Sequence, residues 1–227
     1  MDNDVMTQGV EKHSYNSIYN KVVKRLLDIL ISGIGIIVLS PLLLIISVLQ
    51  IIETGFPIFY RADRGGYKNK SFKILKFRSM VVNADKIGGG TTALNDPRIT
   101  KLGNILRKTK LDEIPQLFQV FTGKMSLIGP RPELLKYTDQ YVGEEKKILM
   151  VRPGITDYSS VEFINLDEIV GQENADEMYE KYVLKKKNQL RIKYAESVSL
   201  KTDCYILFKT LYKVIEKIIN FVFKKNG

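Results

Sequence analysis

From Ile29 to Leu49 the chain carries no charged residue and is rich in Ile, Leu and Val. A bilayer-crossing helix needs about 20 such residues, so this run ties the chain to a membrane before anything else is considered. It starts too late for a signal peptide and no small-residue cleavage site comes after it, so it is expected to stay in the mature protein. Lys21, Lys24 and Arg25 precede the run; Arg61, Arg64, Lys68, Lys70 and Lys73 lie beyond it. A straight crossing would export one basic cluster against the positive-inside tendency. Near the middle lies Ser40-Pro41, where proline removes a donor and bends a helix. A helix-break-helix hairpin that enters and leaves by one face answers both observations. On the residues alone a kinked spanning helix answers them nearly as well. Asp28, one turn after Lys24, reads as its ion-pair partner.

Net charge separates the partner classes. With 35 Lys and Arg against 25 Asp and Glu, the 227-residue chain carries a formal charge of +10. That favours anionic partners: phosphate groups, nucleic acid or an acidic membrane surface. One cysteine and one histidine exclude a disulfide framework, a zinc cluster and a histidine-based triad. Cys204 reads as a small core residue. His13 lies in a polar arm, residues 1–20, expected to be mobile. The division expected along the chain is this arm, a membrane segment at 21–54, a globular domain at 55–204, made cytosolic and catalytic by the resemblance described below, and a C-terminal helix at 205–227.

Beyond the membrane segment, Phe56 to Tyr60 and Ser71 to Met80 are β-prone runs separated by Gly65-Gly66 and lysines, which predicts a β-hairpin. Alternation places Lys76 and Arg78 on the face of Ile74, as solvated charges or as phosphate contacts. Gly88-Gly89-Gly90-Thr91-Thr92 lacks the lysine of a P-loop and reads as a flexible loop. Asp96-Pro97 opens a helix with Ile99, Leu102, Ile105 and Leu106 on one face, which brings Arg107, Lys108 and Lys110 just ahead of Asp112. Pro132-Glu133 opens another helix to about Tyr141. Asp176 to Ser197 has helical spacing with a solvated charged face. From Tyr205 to Phe223, Lys209, Lys213 and Lys217 recur every four residues on a basic amphipathic helix, suited to the headgroup layer or to packing on the protein's own core.

The candidate reactive stretch runs from Lys110 to Glu133. Asp112 suits a helix N-cap, with Glu113 and Pro115 in the first turn of a helix to about Thr122, so both carboxylates are expected to be ionised. Two adjacent anions need a divalent ion or a phosphate-binding Arg and Lys cluster between them. By itself the dyad is more often a soluble helix start. The added signal is Gly129-Pro130-Arg131-Pro132, where two prolines hold an arginine with little freedom to lose.

Taken together, Lys-Arg-Leu-Leu-Asp at 24–28, Ser40-Pro41, Lys-Phe-Arg-Ser-Met at 76–80, Asn-Asp-Pro-Arg-Ile-Thr-Lys-Leu-Gly at 95–103, Leu-Asp-Glu-Ile-Pro-Gln at 111–116, Met-Ser-Leu-Ile-Gly-Pro-Arg-Pro-Glu at 125–133 and Arg-Pro-Gly-Ile-Thr at 152–156 resemble the bacterial sugar transferases that are monotopic phosphoglycosyl transferases. The matching segments run in order from about Val22 to Leu211. The resemblance implies an α+β, mostly helical fold with a re-entrant membrane hairpin broken at Ser40-Pro41, amphipathic interfacial helices and a small antiparallel β-hairpin. It departs at Asp157-Tyr158-Ser159-Ser160-Val161-Glu162-Phe163, where the commoner pattern has Gly, an aromatic and Gln, so no sugar or nucleotide contact is assigned there.

For function, the resemblance implies transfer of a sugar-1-phosphate from a UDP-sugar to membrane polyprenyl (undecaprenyl) phosphate, with release of UMP, at the cytoplasmic face of the bacterial inner membrane. Asp112 would be the nucleophile forming a covalent phosphosugar, and Glu113 would hold Mg2+. Arg107 and Arg131 would clamp phosphate oxygens, with Lys76, Arg78 and Arg152 as further phosphate contacts. Such a product would open surface glycoconjugate synthesis. A homo-oligomer is left open, and nucleic acid is not expected as a partner. The competing reading is a non-enzymatic membrane module whose basic surface binds anionic lipid or RNA. It explains the charge and the two membrane segments but gives no reason for Asp112-Glu113 amid cations or for the double-proline arginine turn, and a nucleic-acid reader tends to present aromatics among its basic groups.

Overall fold

A computed structural model describes residues 14–223; His13, Lys224 and Lys225 lie outside them. The apolar run forms helix α1, Lys24–Thr54, entered through a turn of π-helix at Tyr19–Val23. Helical assignment passes through Pro41, beside which the Ser40 hydroxyl donates to the Ile37 carbonyl at 2.8 Å. At 31 residues the helix is about 46 Å long. Its two faces are inverted relative to a soluble helix. Lys24, Asp28, Ser32 and Gln50 are buried against the protein, while Leu26, Leu30, Ile34, Ile37 and Val38 and then Leu44, Ile45, Val48 and Ile52 form an exposed apolar stripe.

Both halves of α1 touch the same globular body. Ahead of Pro41, the Arg25 guanidinium donates to the carbonyls of Val120 and Phe121 at 2.6 and 2.7 Å, and Asp28 accepts from the Leu127 amide at 2.9 Å. Beyond it, Ile46 packs on Phe77 and Leu106, and Arg78 caps the helix end by donating to the carbonyls of Thr54 and Gly55. Lys24 pairs with Asp203 at 2.5 Å rather than with Asp28. The expected Lys24–Asp28 pair is therefore replaced by two tertiary contacts, because the inward face of α1 brings each side chain to a partner on the body.

The predicted hairpin is present as antiparallel strands β1, Phe59–Gly65, and β2, Ser71–Phe77, in a register that sets Tyr60 opposite Lys76 and Asp63 opposite Lys73. Helix α2, Lys101–Thr109, starts later than expected. Thr100 caps it by accepting from the Gly103 amide, while Asp96 is engaged by Arg98 at 2.7 Å. Helix α3, Gln116–Phe121, lies along α1. Strands β3, Ser126–Ile128, and β4, Gly154–Thr156, form a parallel pair that joins two of the motif strings by hydrogen bonds. A Cβ at Gly154 would lie 2.1 Å from the Gly129 nitrogen, so the two backbones meet where only glycine fits.

Asp157 then caps the short helix α4, Tyr158–Glu162. A helical stretch from Ala175 leads into α5, Lys185–Glu196, and helix α6 spans Leu200–Phe223. The main core joins Ile128, Val151, Tyr194, Ala195, Val198 and Ile206.

Three expectations change. Residues 14–20 are docked, not a loose arm: Tyr15 and Tyr19 pack on the core and the Tyr19 hydroxyl donates to Asp203 at 2.7 Å. Cys204 is exposed, because the register of α6 points Asp203 and Ile206 inward. Lys213 and Lys217 line a cleft, with Lys217 donating to the Ile164 carbonyl at 3.0 Å, and the outward face of α6 is instead apolar through Phe208, Tyr212, Ile215 and Ile219.

Candidate active site

One open cleft of about 1410 Å³ gathers most of the residues singled out from the sequence. It exceeds the 300–1,000 Å³ usual for a drug-sized ligand. Asp112, Glu113, Arg107, Arg131 and Lys76 all line it. The local path that places the dyad differs from the expected helix cap. Lys110 adopts a left-handed conformation, φ 61°, which ends α2 and restarts the chain as a tight 3-10 turn at Leu111–Glu113. Asp112 thus sits inside that turn and α3 begins only after Pro115.

Glu113, 9% exposed, is saturated with cations. Its Oε2 accepts from Arg131 at 2.9 Å, its Oε1 accepts from Lys76 Nζ at 3.0 Å, and the second Arg131 nitrogen also reaches Oε1. Arg131 is held by its own frame, donating to the Ile155 carbonyl at 3.0 Å, while its backbone amide donates to Asp157 at 3.2 Å. Burial acts to raise the Glu113 carboxyl, but Arg131 and Lys76 outweigh it and hold it well below the usual range. Lys76 is pushed down by burial despite that pairing, and Arg131 is raised by Glu113 in spite of its own burial.

Asp112, 5% exposed, has the opposite fate. Its Oδ1 is buried with no hydrogen-bond partner. Burial and then the Glu113 charge push its carboxyl up, against the pull of Lys76, Arg107 and Lys110. The expectation that both acids are alike in favouring the ionised form is corrected: two adjacent carboxylates are driven apart, one fixed as an anion and one left basic and unpartnered. Basicity in an unpaired carboxylate is what nucleophilic attack uses.

Arg107 donates to Thr92 Oγ1 at 2.7 Å and Ser79 Oγ at 3.4 Å and has no carboxylate partner among the described residues, so its charge is available to a ligand. Two other candidates do not join the cleft. Arg78 is buried at the end of α1 as its cap. Arg152 donates to the Gly123 carbonyl at 3.3 Å and stacks over Tyr67. Neither lines the cleft: Arg78 lies at the end of α1, and Arg152 lies between Gly123 and Tyr67, the latter in the turn between β1 and β2.

For a metal, no group of three or more His, Cys, Asp or Glu side chains occurs among the described residues. The dyad alone still suits Mg2+, which takes one or two carboxylates and completes its shell with phosphates and water. The partnerless Asp112 Oδ1 and the remaining lone pair of Glu113 Oε2 are the oxygens on offer.

The sequence reading missed Glu133, Asp157, Lys187 and Arg191, which stand around the same cleft or hold its residues. Glu133 accepts from Arg191 at 2.9 Å and from the Tyr179 hydroxyl. Asp157 was legible as a cap, since serines stand two and three residues after it. The i,i+4 pair Lys187 and Arg191 was hidden among the charges of a helix read as solvated.

Comparison with known proteins agrees with this assembly of motifs. Residues 19–217 match the profile of the bacterial sugar transferase family. The chain is 37% identical over 199 residues, 86% of its length, to a UDP-glucose:undecaprenyl-phosphate glucose-1-phosphate transferase of Klebsiella pneumoniae, of which this covers 40%. It is 41% identical over 122 residues, 54% of its length and 68% of the relative, to a putative undecaprenyl-phosphate N-acetylgalactosaminyl 1-phosphate transferase of Bacillus subtilis. It is 34% identical over 205 residues, 84% of each chain, to the exopolysaccharide production protein ExoY of Sinorhizobium fredii. The chain thus spans about 40% of some of these relatives and most of others. With the profile covering nearly all of the described residues, the chain belongs to the bacterial sugar transferase family.

Proposed function

We propose that this protein transfers a sugar-1-phosphate from a UDP-sugar to undecaprenyl phosphate, through a phosphosugar carried on Asp112. The observation that carries this reading is the split dyad, in which Glu113 is neutralised by Arg131 and Lys76 while Asp112 faces the cleft unpaired. In the first step an Asp112 carboxylate oxygen forms a bond to the sugar-bearing phosphorus, and the bond from that phosphorus to the bridging oxygen breaks, releasing UMP with the electron pair. In the second, an oxygen of the lipid phosphate bonds to the same phosphorus and the aspartyl oxygen departs, restoring the carboxylate and giving a polyprenyl diphosphate sugar. Arg131 and Arg107 orient phosphate oxygens and offset their charge. Mg2+ bound at Glu113 would supply further neutralisation of the diphosphate.

Membrane attachment is read from α1. Polar residues face inward and an apolar stripe faces outward, an arrangement that would be costly in water and is favourable in lipid. Contacts to one globular body from both sides of Pro41 support a helix that dips into the bilayer and returns, since a spanning helix would carry one of those contact sets to the far side. The apolar outer stripe of α6 supports an interfacial seat for that helix too. The body then lies at the cytoplasmic face, where UDP-sugars are found. A non-enzymatic lipid-binding module would leave the unpaired Asp112 unexplained.

The test is direct. Incubation with UDP-sugar and no lipid acceptor should add the mass of a phosphosugar to the peptide containing Asp112. Product formation with no such adduct under rapid quenching would overturn the covalent route.

A further inference from the structure

Beyond Arg131 the cleft wall continues into a second buried charged group that the proposed chemistry does not use. Lys187 and Arg191 project from one face of α5, 6% and 1% exposed, and both line the cleft. One carboxylate, Glu133, faces the two of them, accepting from Arg191 at 2.9 Å and from Tyr179. Lys187 Nζ has only the Tyr179 oxygen, at 3.5 Å, and Arg191 Nε is buried with no partner. The next anion, Asp157, is taken up by the Arg131 amide, Ser159 and Ser160. Two buried basic groups against one shared anion leave an unused donor and room for a second negative charge.

The neighbours fix where this group sits. Arg131 reaches Glu113, the neighbour of Asp112, whereas Arg191 reaches Glu133, two residues beyond Arg131 in the chain. Lys187 and Arg191 therefore meet the cleft around Glu133 and Tyr179, apart from the Arg131 contact with Glu113. We infer that Lys187 and Arg191 form a second oxyanion subsite for the donor, separate from the Lys76 and Arg131 grip on Glu113. Its ligand is an oxyanion one group removed from the phosphorus under attack, of which the phosphate that leaves with the nucleotide is the general case and a carboxylate on the sugar the special one. Burial, together with Arg191, lowers the Lys187 ammonium to about 7, so anion binding near neutrality draws in a proton. This inference rests on the reading of the cleft as a nucleotide-sugar site.

Calorimetry on the full chain in detergent or nanodiscs, with UMP, uridine, UDP-glucose and UDP-glucuronic acid as probes, tests it. Lys187→Met keeps the stem and removes the charge. It should weaken UMP at least about 10-fold, leave uridine unchanged, and abolish the proton uptake seen when buffers of different ionisation enthalpy are compared at pH 7. Lys187→Arg should restore affinity. A loss confined to UDP-glucuronic acid would place the oxyanion on the sugar. Because Lys187 is buried without a full partner, Lys187→Met should melt no lower than wild type, so a fall in affinity is separable from misfolding. Unchanged affinity for all four probes in a normally melting variant would overturn the subsite and leave the transferase reading intact. Failure of wild type to bind UMP or either UDP-sugar would overturn that reading as well.

Discussion

Asp112 and Glu113 are neighbours of the same charge type, and isosteric amides at the two positions should shift stability in opposite directions. Asp112 is buried, its Oδ1 has no partner, and its carboxyl is raised. As pH climbs past the ordinary carboxylate range, the unfolded chain loses the Asp112 proton before the folded chain does. The folded state then binds more protons, so the Asp112 contribution to stability falls with pH up to its raised folded value. Asp112→Asn removes that loss. The relief is about 1 kcal/mol, the scale of one unsatisfied buried polar group, or about 2–4 °C in melting temperature for a chain of this size. Glu113 has the reverse sign. Its carboxyl is held low by Arg131 and Lys76, so its contribution is complete above the unfolded value and is lost as pH falls through the folded one. Glu113→Gln leaves Arg131 and Lys76 buried without their anion and should cost about 3–5 kcal/mol.

Melting of the two variants in metal-free buffer at neutral pH, and then in the same series stepped down in pH, reads both effects. Turnover, measured as UMP release, should fall at least about 1000-fold in Asp112→Asn, or about 4 kcal/mol of barrier. A more stable, inactive protein is thus expected at position 112. If Asp112→Asn melts below wild type, or if both amides shift melting the same way, the division of labour within the dyad is wrong. Retained turnover would remove Asp112 from the chemistry altogether.

Thorough chelation with EDTA should stop UMP release and added Mg2+ should restore it; unchanged rates would remove the metal from Glu113. Arg131→Lys should keep part of the fold's stability but lose about 100-fold in kcat/KM, since an ammonium cannot reproduce the two-pronged contact with Glu113, and near-normal kinetics would show that planarity is unimportant. With Cys204→Ser as background, single cysteines at Asn16 and Lys70 should both react with a membrane-impermeant reagent only from the cytoplasmic side; labelling from opposite sides would establish a spanning α1. Gly103→Ala should fail to fold or lose several kcal/mol, because its Cβ would stand 2.0 Å from the Ser79 carbonyl oxygen, and a normal melting curve would contradict that packing.

Local signals in the chain foretold the elements whose cause is local. The β1–β2 hairpin comes from two β-prone runs and a glycine pair, and α2 comes from its apolar spacing. Lys76, Asp112, Glu113 and Arg131 stand in the motif strings, Arg107 on the helix that leads to the dyad, and the fold brings all five to one cleft. What the strings could not supply is tertiary pairing. Arg78 and Arg152 look like phosphate contacts in a basic string, yet the carbonyls of Thr54, Gly55 and Gly123 claim them from distant parts of the chain. Lys187 and Arg191 carry the reverse lesson. Charge on a helix reads as solvation until a buried partner such as Glu133, 58 residues away from Arg191, is known.

Helix α1 shows why polarity in a long apolar helix has to be read by face and not by count. The run looked uncharged from Ile29 to Leu49, and its hydropathy alone would suit a spanning helix, a signal anchor or the core of a soluble protein. The core alternative fails because the apolar stripe is the exposed one and the buried positions include Lys24, Asp28, Ser32 and Gln50. Each inward polar group except one oxygen of Gln50 has a destination: Asp203 for Lys24, the Leu127 amide for Asp28, the Asp28 carbonyl for Ser32 and Thr54 for the Gln50 amide. Lys24, Arg25 and Asp28 ahead of Pro41, and Ile46 and Arg78 beyond it, hold the helix along the body. The same contacts carry the site: Asp28 grips β3 just before the turn that presents Arg131, and Arg25 grips the end of α3, which lies directly after the dyad. The seating of α1 and the geometry of the cleft are therefore mechanically joined. Loss of Asp28, which nowhere touches the cleft, should loosen Arg131 and lower turnover before it releases the protein from the membrane.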